Sequence, residues 1–233
     1  MPDKVCFVSV DVERDIEKME EIIDIFKENK VVATLFATGQ ILEKYQLQIL
    51  KWAEDYEIAC HSFTHRFWNT LSHEERKKEL DNFIDLYRRF FKRLPLGFRA
   101  PSHIIDEHGL EILEKNGFLY DSSIVPHYPP FKKYRGYKGR FPLIPYYHLK
   151  LPRLLEIPVR GQMFGIPLAG AWISRLPYLL YKILFFIYCP GFITLSIHSW
   201  DSLKNFKKII KLLESKNYQF LNGEQIYQNY KQK

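Results

Sequence analysis

A regular alternation of two hydrophobic periods limits this chain to a small set of folds. Short, apolar, β-prone runs recur at 5–11, 31–37, 57–61, 96–99, 118–122, 155–159 and 192–198, each too short for a helix. Between them lie segments with apolar residues at helical spacing, at 15–30, 41–55, 72–92, 106–116, 173–188 and 203–216. The first is marked by Ile16, Met19, Ile22, Ile23 and Phe26, and the third opens on Ser72-His-Glu-Glu75, a capping box. A last short strand is expected at 219–221. The Tyr-, Pro- and Lys-rich stretch at about 125–152 interrupts the pattern and is expected as an ordered excursion, because aromatics recur through it. Seven strands interleaved with helices predict an α/β fold with a largely parallel sheet, in one domain over residues 1–233.

The polar residues decide between an open sheet and a barrel. Asp11 and Glu13 end the first strand, His61 the third, Arg99 the fourth, Asp121 the fifth and His198 the seventh. Polar side chains at the carboxyl ends of many strands mark the top face of a barrel, whereas an open sheet gathers them at one crevice. The chain has 233 residues, short of the roughly 250 of eight β/α units. A distorted seven-stranded (β/α) barrel is therefore expected.

Composition narrows the function classes. Hydrophobic residues at 46% and charged residues at 26% exclude a disordered chain. The net charge is +7, from 34 Lys and Arg against 27 Asp and Glu. No nucleic-acid motif or aromatic–basic alternation accompanies that surplus, which reads as solvated helix faces such as Glu74-Glu75-Arg76-Lys77-Lys78-Glu79. No nucleic-acid partner is expected; such a binder would show affinity falling steeply with salt. Cys6, Cys60 and Cys189 are odd in number and widely spaced, which suits a reducing compartment. The first residues lack the pattern of a signal peptide. The longest apolar stretch, 176–197, is broken by Lys182 and Cys189-Pro-Gly191, leaving about a dozen clean residues where a span needs about 20. The expected location is cytoplasmic.

His61-Ser-Phe-Thr-His65 is the strongest local motif. Histidines four apart can face one metal if the second lies on a helical turn following the strand; two surface histidines near a helix start are the plainer account. In Asp11-Val-Glu13 both carboxylates point to one side of an extended segment, so one can serve as ligand and the other as base. Acids here would also suit the dipole of a helix starting near Asp15, but that does not explain their place beside histidines at strand ends. Two histidines and one carboxylate leave positions open for water and substrate. One divalent metal is expected, Zn2+ first, with Fe2+, Co2+ or Mn2+ left open.

Ser9-Val-Asp11-Val-Glu13, His61-Ser-Phe-Thr-His65, Arg99-Ala-Pro101-Ser102, Asp121-Ser-Ser-Ile124 and Leu195-Ser-Ile-His198 stand in an order and spacing that resembles the polysaccharide deacetylase family, carbohydrate esterase family four. Leu155-Glu-Ile-Pro-Val159, Pro167-Leu-Ala-Gly170 and His198-Ser-Trp200-Asp201 look like the branch found with exopolysaccharide biosynthesis. The resemblance implies a metal-dependent hydrolase on a distorted seven-stranded barrel, removing acetyl from an N-acetylated sugar of a polysaccharide or lipid-linked glycan. It implies Asp11 as general base, His198 as general acid, Arg99 as holder of the base carboxylate, and His61 and His65 as metal ligands. Val12 replaces the second acid of the commoner Thr-Phe-Asp-Asp-Gly motif, so the third ligand implied is Glu13. Pro101, Ser102 and Asp121 are assigned to the substrate side. Ile124 stands where the family often has the acid that tunes its catalytic histidine, and Asp121 is the candidate replacement. Hydrolysis of a small non-peptide amide and a catalytically inactive glycan-binding barrel are the rival readings.

Neighbouring residues are weighed against these. Cys60 points away from His61 along a strand and is assigned to packing. Trp68 and Trp200 lie beside motifs and can offer faces on which a sugar stacks. Segment 176–188 is apolar nearly all round a helix: Leu179, Ile183, Phe186 and Ile187 are assigned to barrel packing, leaving Leu180, Leu184 and Tyr188 over. That surplus must meet a partner subunit, the excursion or a membrane. Lys132, Lys133, Arg135, Lys138, Arg140 and Arg175 supply cations suited to an anionic leaflet. Burial within the chain, an oligomer and peripheral association at the inner membrane surface are the three expectations.

Overall fold

The computed structural model describes residues 3–126, 136–137, 141–159, 162–163 and 166–231. Strand β1 (Val5–Val12) leads through α1 (Met19–Glu28) to β2 (Thr34–Ala37). Helices α2 (Gly39–Lys44) and α3 (Gln46–Trp52) precede β3 (Glu57–Cys60), α4 (His73–Phe91) precedes β4 (Gly97–Phe98), and α5 (Glu107–Lys115) precedes β5 (Tyr120–Asp121). Then come β6 (Tyr146–His148), β7 (Leu151–Glu156) and a small hairpin of β8 (Gln162–Met163) and β9 (Ile166–Pro167). Helices α6 (Gly170–Arg175) and α7 (Tyr178–Ile187) lead to β10 (Phe192–His198), followed by α8 (Phe206–Ser215), β11 (Gln219–Leu221) and α9 (Gly223–Lys231).

Seven parallel strands form one curled sheet in the order β10-β1-β2-β3-β4-β5-β7. β6 lies antiparallel outside β7, and β11 pairs with the first half of β1. No continuous ladder joins β7 to β10 among the described residues. Thr194 Oγ1 instead donates to the Pro158 carbonyl at 2.9 Å, and Leu168–Ala169 pairs with Ser196. The expected distorted seven-stranded barrel is thus present, stitched at this seam by a side chain and a bridge.

Strand alternation divides the core in two. Cys6, Val8, Val10, Val12, Leu35, Ala37, Ile58, Cys60, Phe98 and Leu154 face outward and pack with the helices. Val5, Phe7, Phe36, Ala59, Tyr120, Leu155, Ile157 and Phe192 face inward and are joined from below by Ile226 and Tyr227 of α9. Glu57 anchors this floor. It accepts from Thr34 Oγ1 at 2.7 Å, Tyr120 Oη at 2.8 Å and the Glu224 backbone N–H at 3.1 Å. Gly97 is required here, since a Cβ would lie 1.9 Å from the Tyr120 ring.

The helices start where the sequence signals. Ser72 and Glu75 form the capping box of α4, and Asp106 caps α5 through the Gly109 N–H at 2.7 Å. Arg76 joins the two by a bidentate bond to Asp106 at 2.6 and 2.8 Å.

Several expectations are corrected. The segment 41–55 is two helices meeting at Tyr45. The segment 173–188 is also two helices, broken at Leu176-Pro177, because proline has no N–H to continue the ladder and constrains the residue before it. β6 lies inside the excursion, and β7 begins at Leu151, earlier than expected. The face of α7 expected to pack is the exposed one: Leu179, Ile183, Phe186 and Ile187 are exposed, while Tyr181, Leu184 and Phe185 are buried, Leu180 is partly buried and Tyr188 is exposed as expected. Lys132, Lys133, Arg135, Lys138 and Arg140 lie outside the described residues. No helix among the described residues is long and apolar enough to cross a membrane.

Candidate active site

Alternation also builds the site. Ser9 and Asp11 follow Phe7 on the inward face of β1, and Arg99 follows the outward Phe98, so all three meet inside the barrel. Arg99 is fully buried. Its Nη1 donates to Asp11 Oδ1 at 2.7 Å and to Ser9 Oγ at 2.8 Å, its Nη2 to Ser122 Oγ at 3.0 Å, and its Nε to the Ser122 carbonyl at 3.0 Å. The guanidinium lies over the Phe36 ring, 4.1 Å from its centroid. Burial opposes ionisation of Asp11, but the Arg99 charge, with His61, His198 and His103 nearby, holds its carboxyl well below the usual carboxylate range.

His198 sits beside Asp11 in the β1–β10 register. Its backbone N–H and its Nδ1 both bond Asp201 Oδ2, at 2.8 and 3.0 Å. That orients the ring and leaves Nε2 for the mouth. Burial disfavours the charged imidazolium, yet the Asp201 bond and the Asp11 charge raise its pKa above the ordinary histidine value. Trp200 stacks on His198 at 4.7 Å and 19°, and the Arg14 guanidinium lies over Trp200 at 4.6 Å.

Glu13, His61 and His65 meet beside Asp11, with one ligand atom from each within 4.8 Å of the others. His61 Nδ1 lies 2.8 Å from the Arg99 carbonyl, which can only accept, so that nitrogen carries the proton and Nε2 offers its lone pair toward Glu13. His65 Nε2 contacts the same Glu13 oxygen. Two imidazoles and a carboxylate, one imidazole fixed in its tautomer from behind, fit a divalent transition metal with open coordination positions.

The two histidines are not brought together by a helical turn. Ser62 and His65 both take left-handed backbone angles, φ 65° and 61°, in a loop before α4. Glu79 of α4 holds that loop: Oε2 accepts from Ser62 Oγ and the Phe63 and Thr64 N–H groups at 2.8–3.0 Å, and Oε1 from Thr64 Oγ1 at 2.6 Å. Burial opposes its charge, but those bonds keep its pKa below the ordinary value.

Two of the expected substrate residues lie elsewhere. Trp68 is buried under the loop, 4.7 Å from the Phe98 ring, with its indole N–H on Ser62 Oγ at 3.1 Å; no face is left for a sugar. Asp121 follows the inward Tyr120 and so faces outward, where it bonds Ser123 and shares a hydrogen bond with Glu156. It cannot orient His198; Asp201 does. Pro101 is buried in a short 3-10 turn, and Ser102 is exposed on it with φ 54°. Sequence reasoning missed three residues: Asp201, legible as an acid three after His198; Glu79, which has no local signal; and His103. Half-buried, with φ 58°, His103 interacts electrostatically with Asp11, Arg99, His61 and His198. The protein around it, and then the Arg99 charge, push its imidazole down to about 3, so it stays neutral.

Known proteins agree with this frame. A family model for polysaccharide deacetylases matches residues 1–120. A peptidoglycan deacetylase-like protein of Gibberella zeae is 34% identical over 95 residues, covering 40% of this chain and 28% of its own. The chain spans less than two fifths of the length of the curated relatives it matches. A solved Mycobacterium smegmatis structure of polysaccharide deacetylase type is 18% identical with a TM-score of 0.71, over 97% of this chain and 90% of that one. A carbohydrate esterase family four pseudoenzyme from Bacillus anthracis is 16% identical with a TM-score of 0.66, over 97% and 66%. These structures share the fold, and the family model covers the half of the chain that carries Asp11, Glu13, His61, His65 and Arg99. The chain belongs to the polysaccharide deacetylase family.

Proposed function

We propose that the protein is a metal-dependent amide hydrolase that removes acetyl from the nitrogen of an N-acetylated sugar in a polysaccharide or lipid-linked glycan. One observation carries the reading: a buried, Arg99-held Asp11 lies between the Glu13–His61–His65 triad and an Asp201-oriented His198. A divalent cation held by Glu13, His61 and His65, zinc by first choice, supplies polarisation of the amide carbonyl and a more acidic attacking water.

The chain's own groups then have separate tasks. Asp11 stays ionised across the neutral range and accepts the proton of the water that adds to the acetyl carbon. Arg99 holds that carboxylate in place through a fully buried bond, so its orientation does not relax during the reaction. His198, raised toward the charged form, donates a proton to the departing nitrogen as the C–N bond breaks, leaving acetate and a free amine. Trp200, stacked on His198 with the Arg14 guanidinium over its ring, holds the acid's imidazole at the rim and offers a sugar its edge.

Elemental analysis together with acetate release from a panel of N-acetylhexosamine glycans tests the reading. His61→Ala is expected to lose metal and activity together. Asp11→Asn keeps the shape but not the proton acceptor, and is expected to retain metal while turnover falls by about 10²–10⁴. His61→Ala protein with full metal content overturns the ligand set. A metal-loaded wild type that binds these glycans without releasing acetate reassigns the chain to a non-catalytic glycan binder.

A further inference from the structure

Helix α7 turns one face to the core and another to solvent. Phe185 packs edge-on against Tyr218, with 6.0 Å between ring centroids, and Tyr181 and Leu184 are buried beside it. Leu179, Ile183, Phe186 and Ile187 are exposed to 63, 46, 84 and 65%. Their spacing places them on a single stripe, which the described residues leave uncovered. A lone exposed leucine is ordinary, but four large side chains on three helical turns form an interaction surface.

The charge around the stripe says what that surface fits. Between Glu156 and Asp201 the sequence contains no acidic residue. Exposed Lys182 lies on α7 itself, exposed Arg175 ends α6, and Lys208 of the adjoining α8 reaches over the Tyr178 ring, 5.8 Å from its centroid. Exposed Lys204 precedes α8. An apolar stripe with cations along its border is complementary to an anionic surface that can admit side chains. A second copy of this chain fits poorly, because a two-fold contact sets the same cationic border against itself with no carboxylate on α6 or α7 to answer it.

We propose that the exposed face of α7 is a peripheral docking site for an anionic lipid bilayer. Ten residues of helix lie in the interface plane, with Leu179, Ile183, Phe186 and Ile187 entering the boundary between headgroups and acyl chains. Arg175, Lys182, Lys204 and Lys208 meet the anionic headgroups. The apolar and the basic contributions are each weak alone and add to a reversible attachment. Vesicle binding is read without substrate, so this inference stands or falls separately from the proposed hydrolysis.

The test is flotation of the full chain with vesicles of phosphatidylglycerol and phosphatidylcholine in equal parts, and of phosphatidylcholine alone, at low and high salt. Co-flotation is expected with the anionic vesicles at low salt, weakening in high salt and on phosphatidylcholine alone. Phe186→Ser combined with Ile187→Ser is expected to weaken binding more than about tenfold, and Lys182→Glu by about fivefold or more. All three side chains are exposed, so thermal melts of the variants are expected to match the wild type. Protein that stays at the bottom with anionic vesicles, or variants that float as well as the wild type, overturn the proposal. A wild-type dimer that the double serine variant dissolves, without vesicle binding, assigns the face to self-association instead.

Discussion

Asp201 and Glu79 touch neither each other nor the proposed reacting atoms, yet each governs a residue that does. Asp201 raises His198 toward its protonated form, which is the form a general acid requires. Asp201→Asn removes that support, so the alkaline fall of the kcat/KM profile is expected to move to lower pH while metal content stays constant. An unmoved alkaline limb would show that His198 is not the titrating acid. Glu79→Gln keeps the size but loses the charge and one of the two acceptor oxygens that together take two backbone N–H groups and two hydroxyls of the 62–64 loop. Loss of charge-assisted bonds at this buried site is expected to cost about 1–3 kcal/mol in urea unfolding. A looser His65 should weaken metal affinity roughly 10–100-fold, as for supporting residues of metal sites generally. The proposed ligands and proton carriers were legible in the sequence because they fall at strand ends in short motifs. Glu79 was not, because only the docking of α4 brings it to the loop.

Among elements, the parallel strands and most helices followed from period and caps, and the failures have identifiable causes. Pro177 divides a segment whose apolar character is otherwise continuous, and it also resets which face of α7 meets the core. Asp121 was misassigned although alternation with Tyr120 could have placed it outside the barrel. α9 gave little signal of its own, since its start is fixed by bonds to Glu57 and Thr34 on distant strands. That floor offers an element-level test. Gly97→Ala forces β4 against a Tyr120 ring that Glu57 holds by its hydroxyl, so the ring cannot swing aside freely. Overpacking of this kind is expected to lower unfolding free energy by about 1–3 kcal/mol. Chemical denaturation with wild-type-like slope would check it, and an unchanged midpoint would show the floor is looser than its bonding indicates.

For the whole molecule, buried carboxylates pull the pH dependence of stability in two directions. Asp11, Glu79, Asp106 and Asp201 have lowered pKa values in the folded state. Their contribution is present above the ordinary carboxylate range and is lost as pH falls through the folded values. Glu57, Asp121 and Glu156 are raised, chiefly by burial, with Glu156 at about 8. A raised carboxyl contributes fully below its unfolded pKa, and that contribution drains away as pH rises toward the folded one. Stability is therefore expected to decline between about pH 5 and pH 8, by up to roughly 1.4 kcal/mol per unit for one such group. Glu156→Gln should flatten that decline in melts followed across the window. If wild type and variant fall in parallel, Glu156 is not the group that binds the extra proton.

The inward and outward sides of β1 impose a constraint on how such a chain can diverge. A strand is read two residues at a time, like a code with only two frames. Deleting one residue upstream of Asp11 would carry Val10 or Val12 into the barrel and push the carboxylate among the helices. A substitution along this strand disturbs one position, whereas slippage disturbs all of them at once. Glu13 stands in the same frame as Asp11, one residue past the end of the strand, and so gathers with His61 and His65 on the side the Asp11 carboxylate faces.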